Sequence, residues 1–320
     1  MPLPFDPEIL AALLAAPQPP DPTPPPVGDV ATRRRNTTAT FDLIADMIPA
    51  VDGIEVDHHV LTTADGADLP LSWYRPVDAP ENGSAALYLH GGGMLMTLEQ
   101  TGRGYDAIVR RYVAESGVPL LVVDYRAAPE HPHPTPVEDC YAALQWLAEH
   151  AGELGVDPGR LAAMGDSGGG GLSAGVALLA RDRGGPALAL QLLIYPMLDD
   201  RNTTPDPQIP TEGMVWSYDD NRTGWGALLG DRAGGADVPV YAAPAREQNL
   251  AGLPPAYLDT GDLDIFRAEI VDYAYRLAAA GVPTELHVHP GCPHGFEMIV
   301  PDADASRRAI ADRVRRLRAI

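Results

Sequence analysis

Ser167 stands in the run Gly165-Asp166-Ser167-Gly168-Gly169, behind the apolar segment Leu161-Ala162-Ala163-Met164 and ahead of a helical pattern. A serine on a tight strand-to-helix turn carries an exposed hydroxyl in a strained conformation, and flanking glycines let strand and helix approach closely. The N-terminus of the following helix adds positive partial charge where an anion would form. The chemistry this suits is attack on an acyl carbonyl. A nucleotide-binding loop competes for the glycine run at 168–171. However, no G-x-x-x-x-G-K occurs, and the glycines follow the fifth apolar strand rather than the first. Attack on a carbonyl also needs donors for the oxygen that becomes negative. His90-Gly91-Gly92-Gly93 can supply them, because consecutive glycines leave backbone N–H groups free to point into a cleft. Losing one such donor typically lowers the rate about 100–1,000-fold. His90 ends an apolar strand and is read as structural, fixing the loop by hydrogen bonding.

The same chemistry needs a base and a carboxylate to orient it. Asp262 and Asp264 both follow the apolar run at 256–260, and His294 follows the run at 284–289. Loops after buried strands collect ligand-binding groups at the carboxyl end of a parallel sheet. Asp262 competes with Asp264 for the orienting role. His287 and His289 compete with His294, but they fall inside a strand, where packing or solvent exposure is expected. Cys292, two residues before His294, is expected to pack inertly.

These residues need a scaffold to bring them together. Residues 56–63 and 68–74 alternate around Asp65-Gly66, which predicts an antiparallel hairpin. Short apolar runs follow at 85–89, 119–123, 161–164, 188–195, 256–258 and 284–288. Helical patterns lie between or after them, at 104–116, 136–150, 169–183, 266–280 and 303–319. Buried strand, helix, buried strand predicts right-handed crossovers and a mostly parallel sheet covered on both faces. With the hairpin, the sheet has eight strands. The order Ser, Asp, His is that of α/β-hydrolases.

Two stretches break the pattern. At the N-terminal side, a short amphipathic helix at 6–16 precedes the Pro-rich segment 18–26, Arg33-Arg34-Arg35, and a helical face of Phe41, Ile44 and Ala45. The segment 199–251 is rich in Pro, Gly, Asp and Asn, with apolar islands at 214–216 and 225–229. A long irregular insertion in a compact α/β domain is usually functional. The expected organisation is therefore a cap built from residues 1–50 and 199–251, over a core built from 51–198 and 252–320.

Composition excludes other classes. The 320 residues carry 23 basic against 44 acidic side chains, a formal net charge of −21, and every basic residue is Arg. That is a poor footprint for phosphate backbones, so no nucleic-acid partner is expected. Without Lys there is no Schiff-base chemistry. Cys140 and Cys292 form neither a disulfide framework nor a zinc spacing and are expected to be reduced thiols in a reducing compartment. No apolar run approaches the roughly 18 residues that span a bilayer. Asp6 and Glu8 ahead of the first apolar stretch argue against a secretory signal. A cytoplasmic enzyme with no membrane partner is expected.

Five motifs in order then carry a family resemblance: His90-Gly91-Gly92-Gly93, 124–132 (DYRAAPEHP), 165–169 (GDSGG), 264–269 (DIFRAE) and His294-Gly295-Phe296. Over roughly residues 55–320 the chain resembles the bacterial hormone-sensitive-lipase family of carboxylesterases. The resemblance implies an α/β-hydrolase fold with a helical cap. It implies Ser167 as nucleophile, His294 as base and Asp264, in preference to Asp262, as its orienter. It implies oxyanion donors in the backbone N–H groups of Gly92, Gly93 and Gly168. Glu130 and Asp139 would belong to a supporting network. The implied reaction is hydrolysis of a small-molecule ester of short to medium acyl chain through an acyl-enzyme, with no metal or organic cofactor. Pairing of edge strands into a homodimer is often seen in the family. An amidase or peptidase using the same triad, or a binding protein that has kept the fold without turnover, are the alternatives. The sequence departs from the family pattern in three ways: Gly168 stands for the common Ala, Met94 and Met96 for an aromatic, and Ile265 for Pro. None removes a chemical group, so they bear on pocket lining and substrate range.

Overall fold

The structure, a computed structural model, describes residues 2–15, 24–79, 82–210 and 214–320. Most of the expected Pro-rich segment at 18–26 lies outside the described residues. The hairpin pairs β1 (Ile54–Thr62) with β2 (Asp68–Pro76), and β2 runs antiparallel to β4 (Leu120–Val123). The remaining strands are β3 (Gly83–Leu89), β5 (Val156–Asp166), β6 (Leu190–Ile194), β7 (Ala256–Gly261) and β8 (Thr284–His289). They are parallel to β4 and to one another, in the order β1-β2-β4-β3-β5-β6-β7-β8. This is the expected eight-stranded, mostly parallel sheet. The central strands are buried along most of their length: every residue of β4, β6 and β7 is buried, as a sheet covered on both faces requires.

Nine α-helices occur among the described residues: α1 (Pro7–Ala15), α2 (Val30–Met47), α3 (Leu98–Ser116), α4 (Thr135–Glu149), α5 (Gly168–Arg183), α6 (Tyr218–Leu229), α7 (Arg267–Ala279), α8 (Phe296–Ile299) and α9 (Asp304–Arg318). Two of them start earlier than the sequence pattern predicts. The helix expected at 104–116 begins at Leu98, where Thr97 and Gln100 form a capping box. Gly102 and Gly104 masked that start. At Gly104 a Cβ would lie 2.6 Å from the Phe41 ring, so the glycine lets α2 and α3 pack closely. The helix expected near Phe41 begins at Val30, where the Asp29 carboxylate accepts the Thr32 N–H at 3.0 Å. The Arg33-Arg34-Arg35 run therefore lies within a helix.

These arginines tie segments together. Arg33 is 4% exposed and pairs with Asp220 of α6 at 2.7 Å, while donating to the carbonyls of Pro25, Pro26 and Asp29. Arg34 pairs with Glu130 at 2.6 Å and donates to the carbonyls of Leu95 and Ala128. α1 lies elsewhere: Ile9 is fully buried in a small cluster with Cys292, Phe296 and Ala309, and the Asp6 N–H donates to the Gly291 carbonyl at 2.9 Å. No helix among the described residues is long and apolar enough to cross a membrane.

Candidate active site

Ser167 sits at the turn from β5 into α5 with φ +54° and ψ −121°. Positive φ is unusual for a residue bearing a Cβ and marks local strain that the surroundings must hold. The glycines explain how the turn closes. A Cβ on Gly165 would lie 2.4 Å from the Gly169 carbonyl oxygen, and one on Gly169 would lie 2.0 Å from that of Leu89. Strand, helix and the neighbouring β3 thus meet at van der Waals distance, with the serine on the crest.

The Ser167 Oγ lies 2.9 Å from His294 Nε2, and His294 Nδ1 lies 2.7 Å from Asp264 Oδ2. All three side chains are buried. The second Asp264 oxygen accepts the Phe266 N–H at 2.9 Å, which fixes the carboxylate. Burial alone would weaken the basicity of His294. The charge and hydrogen bond of Asp264, with further negative charge from Asp166 and Glu297, outweigh that, so its pKa rises above the ordinary 6.5.

The competing residues lie elsewhere. Asp262 accepts the Gly291 N–H at 2.6 Å and shapes the turn before the histidine. His287 pairs with Glu285 on β8, and His289 is the last residue of that strand. Cys292 is buried against α1, and burial pushes its thiol up to about 12, which leaves it no thiolate for nucleophilic work. His90 stacks on Tyr125 at 4.2 Å with Nδ1 2.9 Å from the Gly91 carbonyl; burial lowers it to about 4, so it is neutral. Asp139 receives Arg126 through both carboxylate oxygens.

Gly92 and Gly93 have φ of +109° and +61°, and their N–H groups make no hydrogen bond among the described residues. Gly168 opens α5, where an N–H has no intrahelical acceptor. A Cβ on Gly168 would lie 2.8 Å from the Met94 nitrogen and 3.0 Å from that of Gly93. The glycine here lets the loop after β3 close onto the serine turn. Over these groups lies a cavity of about 240 Å³ that reaches Ser167 and His294. Its apolar lining includes Phe41 and Ile44 of α2, Val215, Trp216, Met298 and Ile299. The Trp216 ring lies where a Cβ on Gly93 would fall, with its Cη2 2.4 Å away.

Sequence reasoning missed the support behind the histidine. Tyr195, after β6, has φ +30° and places its ring edge against His294 at 4.6 Å. Its hydroxyl donates to Glu297 Oε1 at 2.6 Å. Arg313 of α9, fully buried, pairs with the same Glu297 at 2.5 Å and with Asp259 of β7 at 2.6 Å. One guanidinium thus holds two carboxylates under the histidine loop. Arg313→Met should lower unfolding stability by about 3–5 kcal/mol, because it strands buried charge. The check is the urea midpoint; a variant that unfolds at the wild-type concentration would show the clamp to be idle.

The eight-stranded, mostly parallel sheet and the Ser167–His294–Asp264 hydrogen bonds are the arrangement of an α/β-hydrolase. Comparison with known proteins narrows this. Residues 86–298 match the family described as alpha/beta hydrolase fold. The chain is 38% identical over 258 residues to carboxylesterase NlhH of Mycobacterium tuberculosis, covering 79% of this chain and 80% of that one. It is 35% identical over 257 residues to an ethyl acetate hydrolase of Pseudomonas putida, covering 76% and 77%. The solved structure titled Bacterial Heroin Esterase superposes with a TM-score of 0.86 at 37% identity, covering 98% of this chain and 97% of that one. The chain belongs to this α/β-hydrolase family, in its hormone-sensitive-lipase-like branch.

Proposed function

We infer that the protein is a carboxylic ester hydrolase working through an acyl-enzyme on Ser167. The observation that carries the reading is one imidazole hydrogen-bonded to both the Ser167 hydroxyl and the Asp264 carboxylate. His294 takes the proton from Ser167 as its oxygen attacks the acyl carbonyl. The N–H groups of Gly92, Gly93 and Gly168 receive the negative oxygen. The protonated imidazole gives its proton to the leaving alcohol, and water then repeats the sequence on the acyl-enzyme. Asp264 holds the ring in the tautomer whose Nε2 accepts, and stabilises the charged form. Each step uses side chains and backbone of this chain.

The substrate is an ester of short to medium acyl chain. A cavity of about 240 Å³ with Trp216 packed over the glycine loop supports this. Segments 1–50 and 199–251 act as the cap, a reading supported by the Arg33–Asp220 pair and by residues of both segments lining the cavity. The enzyme works in the cytoplasm, consistent with two free, buried cysteines. Homodimers form by pairing of an edge strand, β1 and β8 being the two edges of the sheet. A series of nitrophenyl esters differing only in acyl length should show a maximum at short to medium chains, and the matched nitroanilide should be turned over far more slowly. Faster hydrolysis of emulsified long-chain triglyceride than of a soluble short ester would overturn the substrate reading, and equal rates on anilide would make the protein an amidase.

A further inference from the structure

The hydroxyl of Tyr105, on α3, lies between the two backbone segments that the reaction brings together. It accepts the Gly91 N–H at 2.6 Å and donates to Asp166 Oδ2 at 2.7 Å. Gly91 immediately precedes the donor Gly92, and Asp166 immediately precedes Ser167. Tyr105 and Asp166 are each 2% exposed. The other Asp166 oxygen accepts the Tyr88 hydroxyl at 2.9 Å, which is the only bond that hydroxyl makes among the described residues. The junction is tight: a Cβ on Gly91 would lie 2.3 Å from Asp166 Oδ2 and 2.7 Å from the Tyr105 oxygen. Neither Asp166 nor Tyr105 hydrogen-bonds to Ser167 Oγ or His294, so the relay of protons does not use them.

We propose that Tyr105 is a positioning residue that ties the oxyanion loop to the serine turn, so that the donors of Gly92 and Gly93 keep a fixed separation from the Ser167 oxygen. The proposal rests on the acyl-enzyme reading. The physical argument is geometric. The Gly91 N–H fixes the peptide plane one residue before the donors, and its acceptor is held by the residue before the nucleophile. Oxyanion donors act only if they sit at hydrogen-bond distance from where the charge will appear. Free glycine backbone would otherwise leave the loop many conformations. Burial pushes the Asp166 carboxyl up to about 6, against the lowering effect of its two phenol donors. The two phenol donors favour the ionised carboxylate, in which form the bond to Tyr105 is charge-assisted and among the stronger kinds.

Two full-length variants separate this role from general support. Tyr105→Phe and Tyr88→Phe each remove one phenol donor from the same carboxylate, but only Tyr105 touches the loop. Tyr105→Phe should lower kcat about 10–100-fold with KM changed by less than about threefold, since a displacement near 1 Å can cost about a hundredfold. Its affinity for a trifluoromethyl ketone, which forms a tetrahedral oxyanion on the serine, should fall by the same factor. Tyr88→Phe should keep kcat within about threefold of wild type. Asp166→Asn, which keeps shape and loses charge, gives an independent reading: kcat and ketone affinity should fall together, about tenfold. Tyr105→Phe with wild-type kcat, an equal loss in Tyr88→Phe, or an Asp166→Asn variant with wild-type kcat and ketone affinity would overturn the proposal. Fluorophosphonate labelling of Ser167 in the same variants keeps that failure distinct. Labelling retained leaves the acyl-enzyme reading standing, whereas its absence in wild type sinks both.

Discussion

Ser167→Ala should lower ester hydrolysis by about 10⁶-fold and abolish labelling by a fluorophosphonate, while leaving the fold intact. Removing a serine nucleophile from a working triad has about that effect, because the remaining members act as a unit with it. The oxyanion donors and the binding cavity stay in place, so about 10³–10⁴-fold acceleration over water can persist. The expected tolerance of the fold has a local reason. Ser167 holds φ +54°, where a serine gains nothing over alanine, and among the described residues its Oγ bonds only His294. The variant should therefore melt within a few degrees of wild type, and mass spectrometry should find no acyl or phosphonyl adduct. A labelled Ser167→Ala protein would move the nucleophile elsewhere and undo the mechanism.

Asp264→Asn should also be severe, about 10⁴-fold in kcat, for a different reason. An amide can donate to Nδ1 as readily as accept from it, so it favours the tautomer with the proton on Nε2, which cannot take one from serine. It also removes the leading favourable charge beside the imidazole. In the wild type the raised pKa of His294 places the acid limb of kcat/KM above pH 6.5. The sign is fixed by the mechanism. The base must be neutral, so activity is lost as pH falls through that pKa. In Asp264→Asn the residual activity should show its acid limb at lower pH, because burial then acts with less opposition. Paired pH–rate profiles measure this. An acid limb that stays put in the variant, or a wild-type profile flat down to about pH 4, would remove His294 from its role.

The proposed reacting groups could be picked out because the chemistry they would perform needs particular residue types beside particular backbone shapes, and the structure places them in one hydrogen-bonded chain. Ser167 between glycines, three glycines after a buried strand, and Asp264 and His294 just past two more strands leave few alternatives. Asp262 was the hard case. Spacing alone does not separate it from Asp264, and only the motif resemblance did. In the structure its carboxylate faces the Gly291 turn. Arg313 was missed for an instructive reason. Helix α9 carries Arg307, Arg308, Arg313, Arg315, Arg316 and Arg318, and charge alone gives no hint which is buried. Helical phase would have found it. Arg313 shares the face of Ile310, Val314 and Leu317, at spacings of three and four, and all four are buried. Trp216 and Tyr105 gave no comparable signal. Their roles depend on which loop passes over which glycine, and that is set by tertiary packing. Element starts failed where glycine or polar residues opened a helix, as at Leu98 and Val30, and caps at Thr97 and Asp29 were the available clue.

The clamp on α9 has a temporal side. A ribosome makes the chain from its N-terminal end, so residue 167 emerges well before residues 294, 297 and 313. Until that later stretch has folded back beneath Tyr195, the hydroxyl has no partner to draw off its proton. On the proposed mechanism, a half-made molecule should be mute toward esters and toward acylating poisons alike.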